Sequence, residues 1–280
     1  MSIDRSRTWT FTVLALAAFA ANSILCRRAL GRGAIDPATF STIRLAAGAA
    51  TLVAIARWTR KGAALSGGSW GSAALLFLYA IPFSFAYVSL GAGTGALILF
   101  ASVQVTMLAF ALSSGERLHL AQWSGLTLAL GGLVYLVLPG LAAPSPAGCA
   151  LMMTAGISWG FYSLRGRRAQ NPLVETGGNF VRAVPLALLV SVATASHLEL
   201  HPEGALLAIA SGALTSGLGY VAWYAALNGL TATRAATVQL AVPVIAGAGG
   251  VLFLAEPVTA RLIVAAIFIL GGVGLALSRR

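Results

Sequence analysis

Long apolar runs broken by short polar stretches fill the chain, at residues 8–26, 37–56, 70–90, 93–112, 121–139, 147–164, 173–195, 205–227, 233–254 and 260–277. Each is long enough to cross a hydrocarbon core of about 30 Å at ~1.5 Å per helical residue. None alternates as a barrel strand does, and a backbone in lipid must satisfy its own hydrogen bonds. The pattern therefore predicts an all-α membrane protein of ten transmembrane helices. The first run follows Arg5 and Arg7 and contains Ala18-Phe19-Ala20, the outline of a signal peptide. It is read as a retained span, because without it the helices would not divide into equal halves.

That division rests on internal echoes. Gly115-Glu116-Arg117-Leu118 precedes an apolar run to Gly131-Gly132, and 140 residues later Ala255-Glu256-Pro257-Val258 precedes a run to Gly271-Gly272. Thr42-Ile43-Arg44-Leu45-Ala46 faces Phe180-Val181-Arg182-Ala183-Val184 at an offset of 138. Two anchors at nearly one offset predict a duplication into residues 1–140 and 141–280, with five helices in each half. Five is odd, so the second copy must enter the membrane from the opposite side. The expected fold is two inverted five-helix repeats around a central cavity, a construction suited to alternating access. Small-residue pairs such as Gly91 and Gly95, Gly156 and Gly160, and Gly212 and Ser216 permit close helix contact.

Composition agrees with the pattern, at 58% hydrophobic and 9% charged residues. The net charge of +11 lies in short clusters between apolar runs, which points to membrane topology rather than to nucleic acid. With the N-terminus in the cytoplasm, twelve basic residues fall inside and four outside (Arg27, Arg28, Arg32 and Arg261), so both termini are expected to be cytoplasmic. Arg27, Arg28 and Arg32 run against that count and suggest an anion-facing vestibule. Cys26 and Cys149 read as inert helix residues.

Candidate substrate contacts come from polar and aromatic residues at mid-span. Tyr79, Phe83 and Tyr87 share one helix face, with Tyr87 expected at a lipid interface and the first two toward the cavity. In the matching eighth run stand Tyr220, Trp223 and Tyr224. Phe100, Gln104 and Met107 form a stripe in the fourth run, and Gln239 lies in the ninth; a carboxamide in hydrocarbon needs a partner and so points inward. Asn22 and Trp159 complete a ring of amides and aromatic faces fitted to a zwitterionic aromatic ligand. The site expected is Asn22, Tyr79, Phe83, Phe100, Gln104, Trp159, Tyr220, Tyr224 and Gln239, with Pro82 and Pro243 as hinges. Arg44 and Arg182 read as anchors that snorkel to a headgroup or helix end, with contact to a substrate carboxylate as the alternative, and Glu116 and Glu256 as caps of the helices they open.

No catalytic, metal or cofactor site is expected. His197 and His201, with Glu199 and Glu203, have metal-like spacing but sit in a loop beside Pro202 without a full ligand set. No nucleophile and base share one depth, which argues against a membrane enzyme. No phosphate-binding loop appears, and no acid lies at mid-span, which favours facilitated diffusion, or proton coupling through an edge residue such as His119 or Glu116.

The ten runs, the two copies, Arg44 and Arg182 early in the second helix of each, Trp159-Gly160, Pro243 followed by Glu256, and the closing glycine pairs together resemble the drug/metabolite transporter superfamily of EamA type. Among its members the chain is most similar to bacterial aromatic amino acid exporters. The resemblance implies ten helices, a cavity between five-helix halves, and export from the cytoplasm across a bacterial inner membrane. The expected partners are a small-molecule substrate, an amino acid or similar metabolite, and the lipid bilayer; a multidrug or other metabolite exporter is the alternative. Val103 stands where the second half has Pro243, and Ala21-Asn22 where it has Trp159-Gly160, so the halves need not line the cavity equally.

Overall fold

The computed structural model describes residues 5–59, 67–113, 119–138, 143–166, 169, 171–227, 229–230 and 238–277. The Gly115 to Leu118 motif, with Glu116 and Arg117, lies outside them, as do Arg60, Lys61, Arg167, Arg168, Arg234, Arg279 and Arg280. The described residues are helical apart from connections and one isolated antiparallel bridge between Ile35 and Leu200. The helices are α1 (Arg5–Gly31), α2 (Pro37–Trp58), α3 (Trp70–Tyr87), α4 (Ala92–Ser113), α5 (Leu120–Val137), α6 (Pro146–Gly166), α7 (Pro172–Ala193), α8 (Pro202–Leu227), α9 (Ala241–Leu254) and α10 (Ala260–Leu277). Among the described residues, α1 to α5, α7 and α8 are long and apolar enough to cross a membrane, and α9 and the apolar part of α10 are shorter.

Local chemistry sets where these helices begin. Asp36 accepts hydrogen bonds from the Ala38 and Thr39 amides ahead of α2, Ser69 from Ser72 ahead of α3, and Asn171 from Val174 ahead of α7. Pro37, Pro146, Pro172 and Pro202 occupy first-turn positions whose amides would have no partner. Inside the helices, hydroxyls bond back one turn, as in Thr12 to the Thr8 carbonyl, Ser102 to Ile98 and Thr106 to Ser102, so they cost little when buried.

Contacts between connections sort into two ends. At one end the α1–α2 segment bonds to Glu199 and His201 of the α7–α8 segment, and Arg27 joins the end of α3 to Glu256 of the α9–α10 segment. At the other, Gly67 and Gly68 ahead of α3 lie against Val174, Glu175 and Asn179 of α7, and Gly229 lies against Thr8. Odd-numbered connections thus meet odd, and even meet even.

The packing partners repeat as well. The closest pairings are α5 with α10, α3 with α6, α2 with α7, α4 with α6, α2 with α8, α1 with α8, α4 with α9, α1 with α9 and α3 with α7. Replacing each helix by the one five places along returns the same set. Glycines make the close crossings possible: a Cβ on Gly156 would meet the Leu99 carbonyl and Ser102 of α4, and one on Gly212 would meet the Arg44 carbonyl and Ala47 of α2. In α8, Ser211–Leu218 forms a π-helical segment flanked by regular α-helix. Such widened turns re-aim side chains and recur at functional sites.

Candidate functional site

Midway through the bundle six helices enclose a chamber of about 20 Å³, the space of about one water molecule. Phe19, Asn22 and Ser23 reach it from one face of α1, Arg44 from α2, Tyr79 and Phe83 from successive turns of α3, and Leu99 and Phe100 from α4. Trp159 enters from α6, and Thr215, Ser216 and Tyr220 from α8. The π segment supplies Thr215 and Ser216, and the regular turn after it supplies Tyr220.

A continuous hydrogen-bond chain runs through the lining. Ser211 and Thr215 donate to Asn22 Oδ1 at 2.7 and 3.1 Å, and Asn22 Nδ2 lies 3.5 Å from the Tyr79 hydroxyl. Arg44 Nη2 donates to that hydroxyl at 2.9 Å, and Arg44 Nε donates to Ser216 Oγ at 3.3 Å. The guanidinium lies 5.2 Å from the Tyr79 ring centroid and 4.9 Å from that of Phe83, within cation–π range. The opposite wall is a ring stack, with Trp159 4.9 Å from Tyr79, 5.2 Å from Tyr220 and 5.5 Å from Tyr162.

The predicted contacts divide. Asn22, Tyr79, Phe83, Phe100, Trp159 and Tyr220 line the chamber together. Gln104 and Gln239 are buried but do not line it, and neither lacks an interaction partner. Tyr224 is half-buried and bonds to Thr176 in a second cluster with Tyr162 and Asn179. Pro82 is buried within uninterrupted α3. Pro243 follows a one-residue irregularity: Leu240, still right-handed at φ −64° and ψ −17°, leaves the regular helix between Gln239 and Ala241, where Pro243 has no amide hydrogen for the Gln239 carbonyl.

Other expectations are corrected. Arg44 does not snorkel to a surface; at 2% exposure it is the largest fully buried side chain among the described residues. Arg182 does behave as an anchor, donating to the Gly67 and Gly178 carbonyls at 2.7 and 2.9 Å. Tyr87 is fully buried rather than at a lipid interface, packed under Gly95, which leaves the ring its room. Arg27 and Arg28 each pair with an acid, Glu256 at 3.0 Å and Glu203 at 3.1 Å.

Glu256 also acts away from its own helix. Its carboxylate accepts the Ala92 amide at the start of α4 at 2.8 Å, while Thr259 Oγ accepts the Leu262 amide in the first turn of α10. Ala255, in the left-handed region at φ 53°, turns the chain so that Glu256 faces α4, a conformation costing a non-glycine residue about 1–2 kcal/mol.

Both ends of the chamber are therefore covered. Arg27 also donates to the Tyr87 and Val88 carbonyls, so α1, α3, α4 and the α9–α10 segment are tied at one end. At the other, Asn179 accepts from the Ser69 amide at 2.9 Å and donates to the Tyr162 hydroxyl at 3.3 Å. A larger cleft of about 670 Å³ lies beyond the first tie, between α4, α9 and α10, with Glu256 and Arg27 in its wall.

Sequence reasoning missed Phe19, Ser23, Arg44, Leu99, Thr215 and Ser216 as lining residues. The helical spacing of Phe19, Asn22 and Ser23 was a usable signal; the widened turn that presents Thr215 and Ser216 had none.

Comparisons with known proteins agree with one another. The family described as EamA-like transporter family matches residues 146–278. An uncharacterised protein of Pseudomonas aeruginosa is 49% identical over 98% of this chain and 96% of its own length. The threonine/homoserine exporter RhtA of Escherichia coli K12 is 32% identical over 54% of this chain and 52% of its own. An uncharacterised transporter of Archaeoglobus fulgidus is 24% identical over 72% and 74%. A solved crystal structure superposes at a TM-score of 0.68 with 20% identity, covering 95% of this chain and 98% of that one, a likeness of fold.

Proposed function

This chain belongs to the EamA-like transporter family, whose members are transporters and not enzymes, and we propose that it exports amino acids, aromatic and other neutral ones, from the cytoplasm by alternating access. The observation that carries this reading is the chamber itself, an amide and a hydroxyl network facing stacked rings, at the meeting of helices from both halves of the chain. Such a lining matches a ligand with a polar head and an aromatic or small apolar body. The partial similarity to a threonine/homoserine exporter supports the amino acid class.

The exchange of helix pairings between residues 1–140 and 141–280, and the sorting of odd and even connections to separate ends, support two inverted five-helix repeats. In that arrangement two conformations of similar energy open the chamber to one side at a time. At about 20 Å³ the chamber holds no amino acid, so substrate enters when one tie releases: Arg27 with Glu256 on the outer side, Asn179 with Ser69 and Tyr162 on the cytoplasmic side. The excess of basic residues beside even-numbered connections supports a cytoplasmic position for that end and both termini, at a bacterial inner membrane. Pro82 and Pro243 serve as hinges, and Asn22, Tyr79, Phe83, Phe100, Trp159 and Tyr220 as substrate contacts.

The test is flux of labelled phenylalanine, tryptophan and threonine from proteoliposomes of the purified chain, with and without a pH gradient. Saturable flux that Tyr79→Ala abolishes is expected. Absence of flux for all three, with transport of cationic dyes instead, would overturn the reading.

A further inference from the structure

The chamber carries a positive charge with nothing to balance it. Arg44 is 2% exposed, and among the described residues its Nη1 is the buried side-chain nitrogen or oxygen left without a hydrogen-bond partner. Its other nitrogens are committed to Tyr79 and Ser216. No described Asp or Glu lines the chamber, so the charge is met only by two ring faces and two hydroxyls. A buried guanidinium is costly unless paired, and an ionisable group inside a membrane bundle marks a functional site.

We propose that Arg44 is the receptor for a carboxylate on the transported molecule, so that this transporter selects monocarboxylates with an apolar or aromatic body. The inference rests on the export reading above and narrows its substrate class. One cation in the lining is neutralised by one anionic charge, and one free nitrogen takes a carboxylate oxygen through a charge-assisted hydrogen bond. The network around the guanidinium fixes its position. Tyr79 and Ser216 hold it from α3 and α8, while Asn22 is held in turn by Ser211 and Thr215, so the charge does not swing out to lipid. The opposite wall of Trp159 and Tyr220 receives the apolar body. An ammonium group finds no carboxylate in the lining, only ring faces and carboxamide or hydroxyl oxygens. Recognition therefore falls on the acid group of an amino acid more than on its amine.

Four probes of similar size separate these contributions: phenylalanine, 3-phenylpropionate without the amine, phenylalaninamide without the acid, and 2-phenylethylamine without it as well. Titration calorimetry on the full chain in detergent should give the two acids affinities within a few fold of each other. The amide and the amine should bind at least about tenfold more weakly, the loss of one charged hydrogen bond. Arg44→Gln should erase that preference, and Arg44→Lys should keep it at reduced affinity. A merely structural arginine would lower thermal stability in both variants and leave the preference unchanged.

If Arg44→Gln does not fold, the four probes on the natural chain decide. Equal binding of amine and acid, or binding of neither acid, overturns the inference. Acid-selective binding without flux of phenylalanine, tryptophan or threonine in proteoliposomes supports the role of Arg44 and overturns amino acid export. Phenylalanine flux without acid preference does the reverse.

Discussion

Arg44 of α2 and Arg182 of α7 stand seven and ten residues past the prolines that open their helices, but their guanidinium groups end in different surroundings. Arg182 is half-buried and reaches back along its helix to the Gly67 and Gly178 carbonyls, held there by the segment ahead of α3 that folds over α7. Around Arg44 the corresponding α7–α8 segment instead pairs with Asp36 and Ile35, and α8 presses so closely on α2 at Gly212 that Ser216 meets the guanidinium from the side. One charge is satisfied by a loop carbonyl and a carbonyl of its own helix and locks an end; the other stays inside the chamber with a donor to spare. A second matched pair differs in the same sense, Val103 lying within unbroken α4 and Pro243 just past the break before α9. Helices five places apart share a pattern of packing partners while their side chains take up separate tasks.

The largest test of this contrast is to impose the second half's proline on the first. Val103→Pro removes a backbone amide hydrogen bond in the middle of α4 and should cost about 3 kcal/mol or more, read as a large fall in melting temperature and loss of folded protein. A melting point within a few degrees of the natural chain would mean that α4 is as interruptible as α9. Next comes Arg182→Met, which deletes charged bonds to two carbonyls and should cost about 2 kcal/mol in thermal unfolding. Flux should persist with its selectivity among the four probes unaltered; a changed selectivity would show that both arginines touch substrate.

Much of this architecture was legible in the sequence because membrane spans are written in composition. The ten apolar runs correspond to α1 through α10, with ends displaced by a few residues where caps and prolines, not hydropathy, set the boundary. For the ninth run, residues 231–237 lie outside the described residues. The chamber was half legible. Asn22, Tyr79, Phe83, Phe100, Trp159 and Tyr220 were found because a polar or aromatic side chain in hydrocarbon must face something other than lipid. The same rule drew in Gln104 and Gln239, which are buried without lining the chamber, since the rule separates inside from outside and not one inner surface from another. Arg44 was misread because its depth from Pro37 allows snorkelling, and only the crossing of α2 with α8 decides that it turns inward. Glu256 was misread because capping its own helix is the nearest explanation, whereas the left-handed Ala255 aims it at α4.

The tie between Arg27 and Glu256 gives a smaller effect. Glu256→Gln keeps an oxygen for the Ala92 amide but removes the charge facing Arg27, and since the pair is partly exposed the loss should be about 1 kcal/mol. That shifts an open–closed balance about fivefold, so Cys26, now fully buried, should react faster with a thiol reagent added from outside, with Cys26→Ser as the control. An unchanged labelling rate would separate this ion pair from the outer closure.

Pro243→Ala should have the smallest effect on stability, and its sign is the point. The Gln239 carbonyl faces a residue without an amide hydrogen, and alanine at 243 would supply one and remove the ring, letting the turn at Leu240 close into continuous helix. A hydrogen bond gained and proline's rigidity in the unfolded chain lost should nearly cancel, leaving a change within about 1 kcal/mol, on the stabilising side. Flux should nevertheless slow, because a helix that no longer breaks there resists the bend that opening requires. Pro82→Ala is the comparison: α3 already runs unbroken through Pro82, so replacement there should raise the melting temperature with a weaker effect on rate. Equal flux in the natural chain and in Pro243→Ala would place the hinge elsewhere, and a clear loss of stability would mean that the break before α9 is held by its surroundings rather than made by the proline.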